Sequence, residues 1–144
     1  MTIESSIEDW ELIAQVCQVY RSLSDTLMAQ IDMHRAQATL LCRLFVQNGM
    51  TQSEIGEQLA IQGATVTNIV QRLEEAGLVI RQRDPEDNRL VRVYLTEAGR
   101  KKERSIVEQF SRLEEGVFQD INEVERALLR RMLQQILRNM NTLS

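Results

Sequence analysis

The stretch from Thr51 to Val79, TQSEIGEQLAIQGATVTNIVQRLEEAGLV, constrains this chain more than any other. It spells two short helices, a tight turn between them, and an exit into a strand. Thr51 and Glu54 form a capping box, in which each side chain can satisfy a free N–H at the start of the first helix. Ile55 and Leu59 fall one turn apart and point inward. Gly56 and Ala60 are small enough to let a second helix pack closely. Ile61, Gln62 and Gly63 make the turn. From Ala64 the apolar stripe resumes at Val66, Ile69, Val70 and Leu73, the i, i+3, i+4, i+7 spacing of a half-buried helix. Gly77 stands where a C′ glycine ends it.

The opposite face of that second helix carries Ala64, Asn68 and Gln71, flanked by Thr65, Thr67 and Arg72, at about 100° per residue. These side chains are short, mostly uncharged and rich in hydrogen-bonding groups. They suit a helix pressed into a DNA major groove; the alternative is a solvated polar face. Leu78–Arg83 and Arg89–Thr96 then alternate apolar with basic or polar residues, the period of strands. Between them lies DPEDN, which holds the single proline. A hairpin attached to a helix-turn-helix is a wing, and Arg81, Arg83, Arg89 and Arg92 lie on its arms.

In order and spacing these pieces resemble the MarR family (multiple antibiotic resistance regulators) of winged-helix repressors. The matching pieces are TQSEIGEQLAI, TVTNIVQRLEEAGLVIR, the Asp87-x-Arg89 wing motif and the LTEAG close at Leu95–Gly99, and the resemblance spans nearly the whole chain. It implies a fold that is mainly α with a small β-hairpin wing, and a homodimer that binds double-stranded DNA. By this resemblance the DNA-facing residues of the recognition helix are Gln62, Gly63, Ala64, Thr65, Thr67, Asn68, Gln71 and Arg72. Thr51 and Ser53 join them at the helix start, with Arg81, Arg83, Asp87 and Arg89 on the wing. Arg89 is expected to reach the minor groove or flanking phosphates, with Asp87 holding it. Two departures weaken the DNA face. The family usually has an arginine where Asn68 stands and a serine where Ala64 stands, and its wing usually reads Asp-Arg-Arg rather than Asp87-Asn88-Arg89.

The net charge of −4 is unusual for a DNA binder until it is divided along the chain. Residues 1–34 hold six acids against Arg21, residues 35–100 balance at eight against eight, and residues 101–144 come to +1. The acidity therefore sits in the first helix, and the phosphate attraction that drives non-specific binding is expected to be modest. No apolar run is long enough to span a membrane, and no signal peptide precedes the first helix. Cys17 and Cys42 have neither metal-ligand nor disulfide-framework spacing, so the chain reads as cytoplasmic and reduced.

Residues 5–30 read as one helix whose apolar positions, among them Ile7, Trp10, Ile13, Val16, Tyr20 and Leu23, spread over more than one stripe. Such a helix needs partners on two sides. Met33–Val46 reads as the next, burying Ala36, Leu40, Leu41, Leu44 and Phe45, and Asn48-Gly49 stops it. Gln37 matches a glutamine of the family's second helix. Thr96 caps a long fifth helix with Ile106, Val107, Phe110, Leu113, Val117 and Phe118 apolar. Asn122 and Glu125 form a second capping box ahead of a last helix whose stripe runs from Val124 to Met140. These helices exceed what one core can cover. The expected division is a dimerisation helix at 1–33, a winged helix-turn-helix at 34–96, and C-terminal dimerisation helices at 97–144. The resemblance implies that the first, fifth and sixth helices intertwine with a partner's.

No Gly-rich phosphate loop, metal-spaced ligand set or nucleophile motif is present, so neither enzymatic activity nor a cofactor is expected. The leading reading is a sequence-specific transcriptional regulator, acting as a repressor and released by a small aromatic or phenolic effector of the kind the family binds. Met28, Ile31, Met33 and His34 are the residues that could border an effector cleft; core packing and helix capping are the plainer readings. One alternative is a winged-helix module for protein interaction or DNA architecture. Another is a redox sensor, although the family's peroxide-sensing branch carries its cysteine roughly where Trp10 stands. Cys17 and Cys42 fall in apolar stripes, which favours buried, inert thiols.

Overall fold

The computed structural model describes residues 3–143, and the chain divides after Gln109 into two compact units. The first holds α1 (Ile3–Ala29), α2 (Arg35–Val46), β1 (Met50–Thr51), α3 (Gln52–Leu59), α4 (Gly63–Glu75), β2 (Val79–Arg83), β3 (Val91–Leu95) and α5 (Glu97–Lys101). α6 (Glu103–Val117) spans the division, and α7 (Glu123–Asn141) lies in the second unit. The fold is mainly α with one small antiparallel sheet, as expected.

The core of the first unit is made where α2, α3 and α4 turn their stripes toward β3. Leu40, Leu41, Leu44, Ile55, Val66, Val70, Leu73 and Val93 are all fully buried. Each such aliphatic side chain contributes about 1.5–3 kcal/mol by leaving water. Val93 and Leu95 are buried while Arg92 and Tyr94 between them are only half-buried, the alternation of a strand with one face on a core. The sheet order is β1-β3-β2, with Val79 opposite Leu95, Arg81 opposite Val93 and Met50 on the other edge opposite Val93.

Two glycines fix how the wing leaves α4. Gly77 has φ +74°, and its N–H donates to Glu74 O while Leu78 N–H donates to Leu73 O, both at 2.9 Å. That pair of bonds is a Schellman motif, which turns the chain from helix to strand. Gly99 lies against the Leu78 carbonyl so closely that a Cβ there would come within 2.1 Å of the oxygen. Thr96 completes the junction: its N–H donates to Leu78 O, its hydroxyl donates to Gly77 O at 2.6 Å, and the same hydroxyl accepts from Gly99 N–H. The Leu95–Gly99 close thus ties the wing's return strand to the end of α4.

Several sequence expectations are corrected. α2 begins at Arg35 rather than Met33, because His34 is its extended N-cap. Ala36 is exposed and Ala38 takes its place in the core, while Phe45 is only half-buried. Ala60 does not pack beneath α4; it closes α3 in the left-handed region at φ +52° and is exposed. Gly56 alone makes the close approach, within 3.2 Å of Ile61 O for an added Cβ. β1 is an edge strand too short to show a period. Arg89 lies in the wing loop, since β3 starts at Val91. The long helix after Thr96 breaks at Lys102, whose N–H donates to Gly99 O three residues back and whose Nζ reaches Ile31 O. That tightened turn separates α5 from α6.

Two helices leave apolar faces open. On α1, Trp10 and Val16 are each 61% exposed, and Cys17 is exposed rather than buried. On α7, begun by the Asn122–Glu125 capping box, no described residue is buried; Leu128, Leu133 and Leu137 are 50%, 50% and 59% exposed. Within the second unit, Arg126 pairs with Glu114 and lies 4.2 Å over the Phe118 ring, which fastens the start of α7 to the end of α6.

Candidate nucleic-acid interface

The helix-turn-helix is held at its entrance by the capping box predicted from the sequence. Thr51 Oγ1 accepts from Glu54 N–H at 3.1 Å, and Glu54 Oε2 accepts from Thr51 N–H at 3.0 Å. Thr51 is therefore committed inside the fold and only 5% exposed. Ser53, one residue into α3, is exposed and presents the hydroxyl at this edge. Gln62 is the extended N-cap of α4 without a side-chain cap bond. The first turn of α4 therefore has no side-chain cap from Gln62 for its N–H groups.

The outer face of α4 divides into committed and free groups. Thr67 is half-buried; its hydroxyl donates to Gly63 O at 3.0 Å and accepts from Gln52 Nε2 at 3.1 Å. Gln71 Nε2 donates to Glu75 Oε1 at 3.3 Å. Asn68 and Arg72 are exposed and make no side-chain hydrogen bond within the chain among the described residues. Ala64 and Thr65 are exposed beside them. The amide of Asn68, the guanidinium of Arg72 and the hydroxyl of Thr65 are thus the uncommitted hydrogen-bonding groups on this face among the described residues.

Every wing arginine has an internal partner. Arg81 Nη2 meets Glu74 Oε1 at 3.1 Å and its N–H donates to the same carboxylate, joining β2 to α4. Arg83 donates to Asn88 O at 2.8 Å. Arg89 pairs with Asp87 through Nε at 3.0 Å and Nη2 at 3.1 Å, yet its side chain is 90% exposed. This is the hold expected of Asp87. Arg92 turns inward to Asp84. The arginines draw their carboxylates below the usual range, Glu74 through Arg81, Asp84 through Arg92 and Asp87 through Arg89. With four arginines facing Asp84, Glu86 and Asp87, the wing between β2 and β3 carries little excess charge.

Of the residues expected to border an effector cleft, Met33 and His34 line one hollow, and Met28 and Ile31 are not among its lining residues. Met28 is fully buried and Met33 is 5% exposed, so both are core. His34 caps α2, its N–H donating to Gln37 Oε1 at 3.0 Å. The hollow that Met33 and His34 line is completed by Asp25, Ala29 and Asp32, and its two carboxylates make it a poor match for an aromatic acid. A different cleft, of about 320 Å³, opens between α1, α2 and the helix-turn-helix. Tyr20, Arg35, Thr39, Leu59, Thr65 and Ile69 line it. Sequence reading missed it because its residues come from four separate helices. Burial pushes the Cys42 thiol up, against thiolate chemistry. Among the described residues no cluster of His, Cys, Asp or Glu is suited to a metal, and no helix is long and apolar enough to cross a membrane.

Comparison with known proteins agrees with this geometry. A family model described as MarR family matches residues 33–91. The uncharacterised HTH-type transcriptional regulator YdgJ of Bacillus subtilis (strain 168) is 29% identical over 136 residues, spanning 94% of this chain and 83% of that protein. The HTH-type transcriptional repressor IacR of Pseudomonas putida is 30% identical over 131 residues, spanning 91% and 78%. Among solved structures, S. aureus MepR, crystallised as a DNA complex, superposes with a TM-score of 0.84 at 26% identity, covering 90% of this chain and 96% of that one. YdgJ and IacR are named as transcriptional regulators, and this chain is a regulator rather than an enzyme. It belongs to the MarR family of winged helix-turn-helix transcriptional regulators.

Proposed function

We propose that this regulator binds a pseudo-palindromic operator in double-stranded DNA as a homodimer, with α4 in the major groove and the wing in the minor groove, and that it acts as a repressor. The observation that carries this reading is the uncommitted pair Asn68 and Arg72 on α4, on the same winged domain as the exposed Arg89. An asparagine amide can donate to N7 and accept from N6–H of adenine at once, a bidentate pairing that guanine does not offer. Each half-site therefore contains an adenine that meets Asn68. A two-fold dimer places the half-sites about one helical turn apart. Residues 34–96 form the DNA-binding part, and 1–33 and 97–144 supply the dimerisation helices. The open apolar faces of α1 and α7 support that division. The structure of a relative with DNA and the name of the repressor IacR support the rest.

An effector, in this reading, is a small aromatic acid that enters the cleft between Tyr20, Arg35 and Thr65. Thr65 stands on the recognition helix, so a ligand there bears directly on the DNA-facing residues. Selection of bound sites from random duplexes by the full chain tests the whole proposal. Enrichment of paired adenine-containing half-sites is expected, and their loss on addition of an aromatic acid would identify the effector class. Recovery of unrelated sequences, bound as tightly as the selected ones, would instead mark an architectural module.

A further inference from the structure

The four wing arginines are not equivalent. Arg89 projects outward, whereas the Arg92 side chain is only 30% exposed and bridges two parts of the fold. Its Nε donates to Asp84 Oδ2 at 2.5 Å, and its Nη1 donates to the Gly49 carbonyl at 2.9 Å, just before the capping residue of α3. Asp84 is itself 8% exposed. Its other oxygen accepts from Glu86 N–H at 2.8 Å and Asp87 N–H at 3.2 Å, which shapes the loop between β2 and β3. The loop is closed by Asp84 N–H to Leu90 O and Leu90 N–H to Asp87 O. Asp87 then grips Arg89 through two bonds.

We propose that Arg92 and Asp84 are positioning residues that set where Arg89 stands relative to α3 and α4, and that neither contacts DNA. The path is continuous: the Gly49 carbonyl holds Arg92, Arg92 holds Asp84, Asp84 holds the Asp87 backbone, and Asp87 holds Arg89. A guanidinium suits this post because it can serve a carboxylate and a carbonyl at once from a planar fork, which a lysine ammonium on a flexible stem does not reproduce. Asp84, in turn, orders the loop backbone with one oxygen while the other takes the arginine, so one carboxylate joins the wing tip to the body of the domain. This inference rests on the reading of Arg89 as a DNA contact.

The test is a double-mutant cycle with the full chain on a duplex selected by the unmodified protein, followed by fluorescence anisotropy across a salt series. Arg89→Ala is expected to weaken binding roughly ten- to a hundredfold, the range for a charged hydrogen bond, and to lower the salt slope by about one phosphate contact. Arg92→Met is expected to reproduce most of that loss, and the double variant to lose little more than Arg89→Ala alone. Arg92→Lys is expected to behave like Arg92→Met despite keeping its charge. Losses that multiply in the double variant, or full binding by Arg92→Lys, would overturn the proposal and leave the role of Arg89 standing. A silent Arg89→Ala would overturn both. Should Arg92→Met lower the melting temperature beyond use, Asp84→Asn keeps the loop-capping oxygen and weakens only the link to Arg92. The same non-additivity with Arg89→Ala is expected of it, and additivity there is equally decisive against.

Discussion

α4 and α7 are written in the same idiom and end in opposite situations. Both are amphipathic helices with aliphatic residues three and four apart, and both follow a polar residue in extended conformation at the N-cap. On α4 the stripe is covered: Val66, Val70 and Leu73 are fully buried against α2, α3 and the sheet. On α7 a longer stripe is covered only in part: Leu129 is half-buried, while Leu128, Leu133 and Leu137 stay half exposed or more. Helix formation is therefore a local property, set by caps and periodicity. Whether a stripe becomes core depends on what the rest of the chain, or a second chain, places opposite it. The α4 stripe belongs to the stability of one protomer; the α7 stripe reads as belonging to an assembly.

The largest effect should come from breaking the second half of that comparison. Leu133→Glu with Leu137→Glu places two charges in the middle of the open stripe of α7. If this stripe is the dimer surface proposed above, dimerisation, and with it binding to a two-half-site duplex, is expected to be lost. Sedimentation at micromolar concentration checks it. An unmodified chain that sediments as a folded monomer would break the comparison itself, since α7 would then be stable with its stripe in water.

Next in size is a matched pair of truncations. Leu73→Ala removes a fully buried side chain from α4 and should cost about 2–5 kcal/mol at any protein concentration. Leu137→Ala should show its effect as a stronger dependence of the melting temperature on protein concentration, because the side chain finds cover only on association. Thermal unfolding of both variants over a hundredfold concentration range separates the two behaviours. Equal, concentration-independent losses would mean that Leu137 is held within its own protomer.

Base readout comes third and turns on the outer face of α4 rather than its stripe. Asn68→Ala should cost roughly 1–3 kcal/mol on a selected site and much less on random duplex, because no phosphate charge is lost. Arg72→Ala should weaken all sequences alike and lower the salt slope. If Asn68→Ala weakens selected and random duplexes equally, its amide meets the backbone. The sequence preference would then come from Thr65, from the partly committed Thr67 and Gln71, or from DNA shape.

The same contrast explains what could be read from the sequence. The Thr51 and Asn122 capping boxes, the α4 stripe, the Gly77 stop and the hairpin were all legible, because each is set by residues within a turn or two of one another. The inward turn of Arg92 was not, because its carbonyl partner at Gly49 lies far away in sequence and alternation alone places Arg92 on a strand arm. Neither was β1, whose identity rests on its pairing with β3, nor the burial of Ala38 in place of Ala36, which depends on the angle at which α2 meets its neighbours. The commitment of the Thr67 hydroxyl to Gln52 is of the same kind. On the page of the sequence Thr67 and Asn68 look alike as readers of bases, and only the fold distinguishes them.

The smallest expected effect is the sharpest probe of the comparison, because it uses one motif in both regions. Thr51 caps α3 and Asn122 caps α7 by the same reciprocal pattern, each side-chain oxygen accepting from the N–H three residues on. Replacing either by alanine leaves one helix N–H without its partner, at a cost of about 0.5–2 kcal/mol. Thr51 is nearly buried, so Thr51→Ala should fall toward the upper end and lower the melting temperature by the same amount at every concentration. Asn122 is exposed, and water can replace part of what its side chain supplies, so the cost should fall toward the lower end. More telling is where that smaller cost appears. If α7 is stable only when its stripe is covered by a second chain, loosening its first turn weakens association, and Asn122→Ala should raise the dimer dissociation constant about five- to tenfold, the equivalent of roughly 1 kcal/mol. A dissociation constant unchanged by Asn122→Ala, with a melting temperature that falls independently of concentration, would place α7 alongside α4 as an element stable within its own protomer.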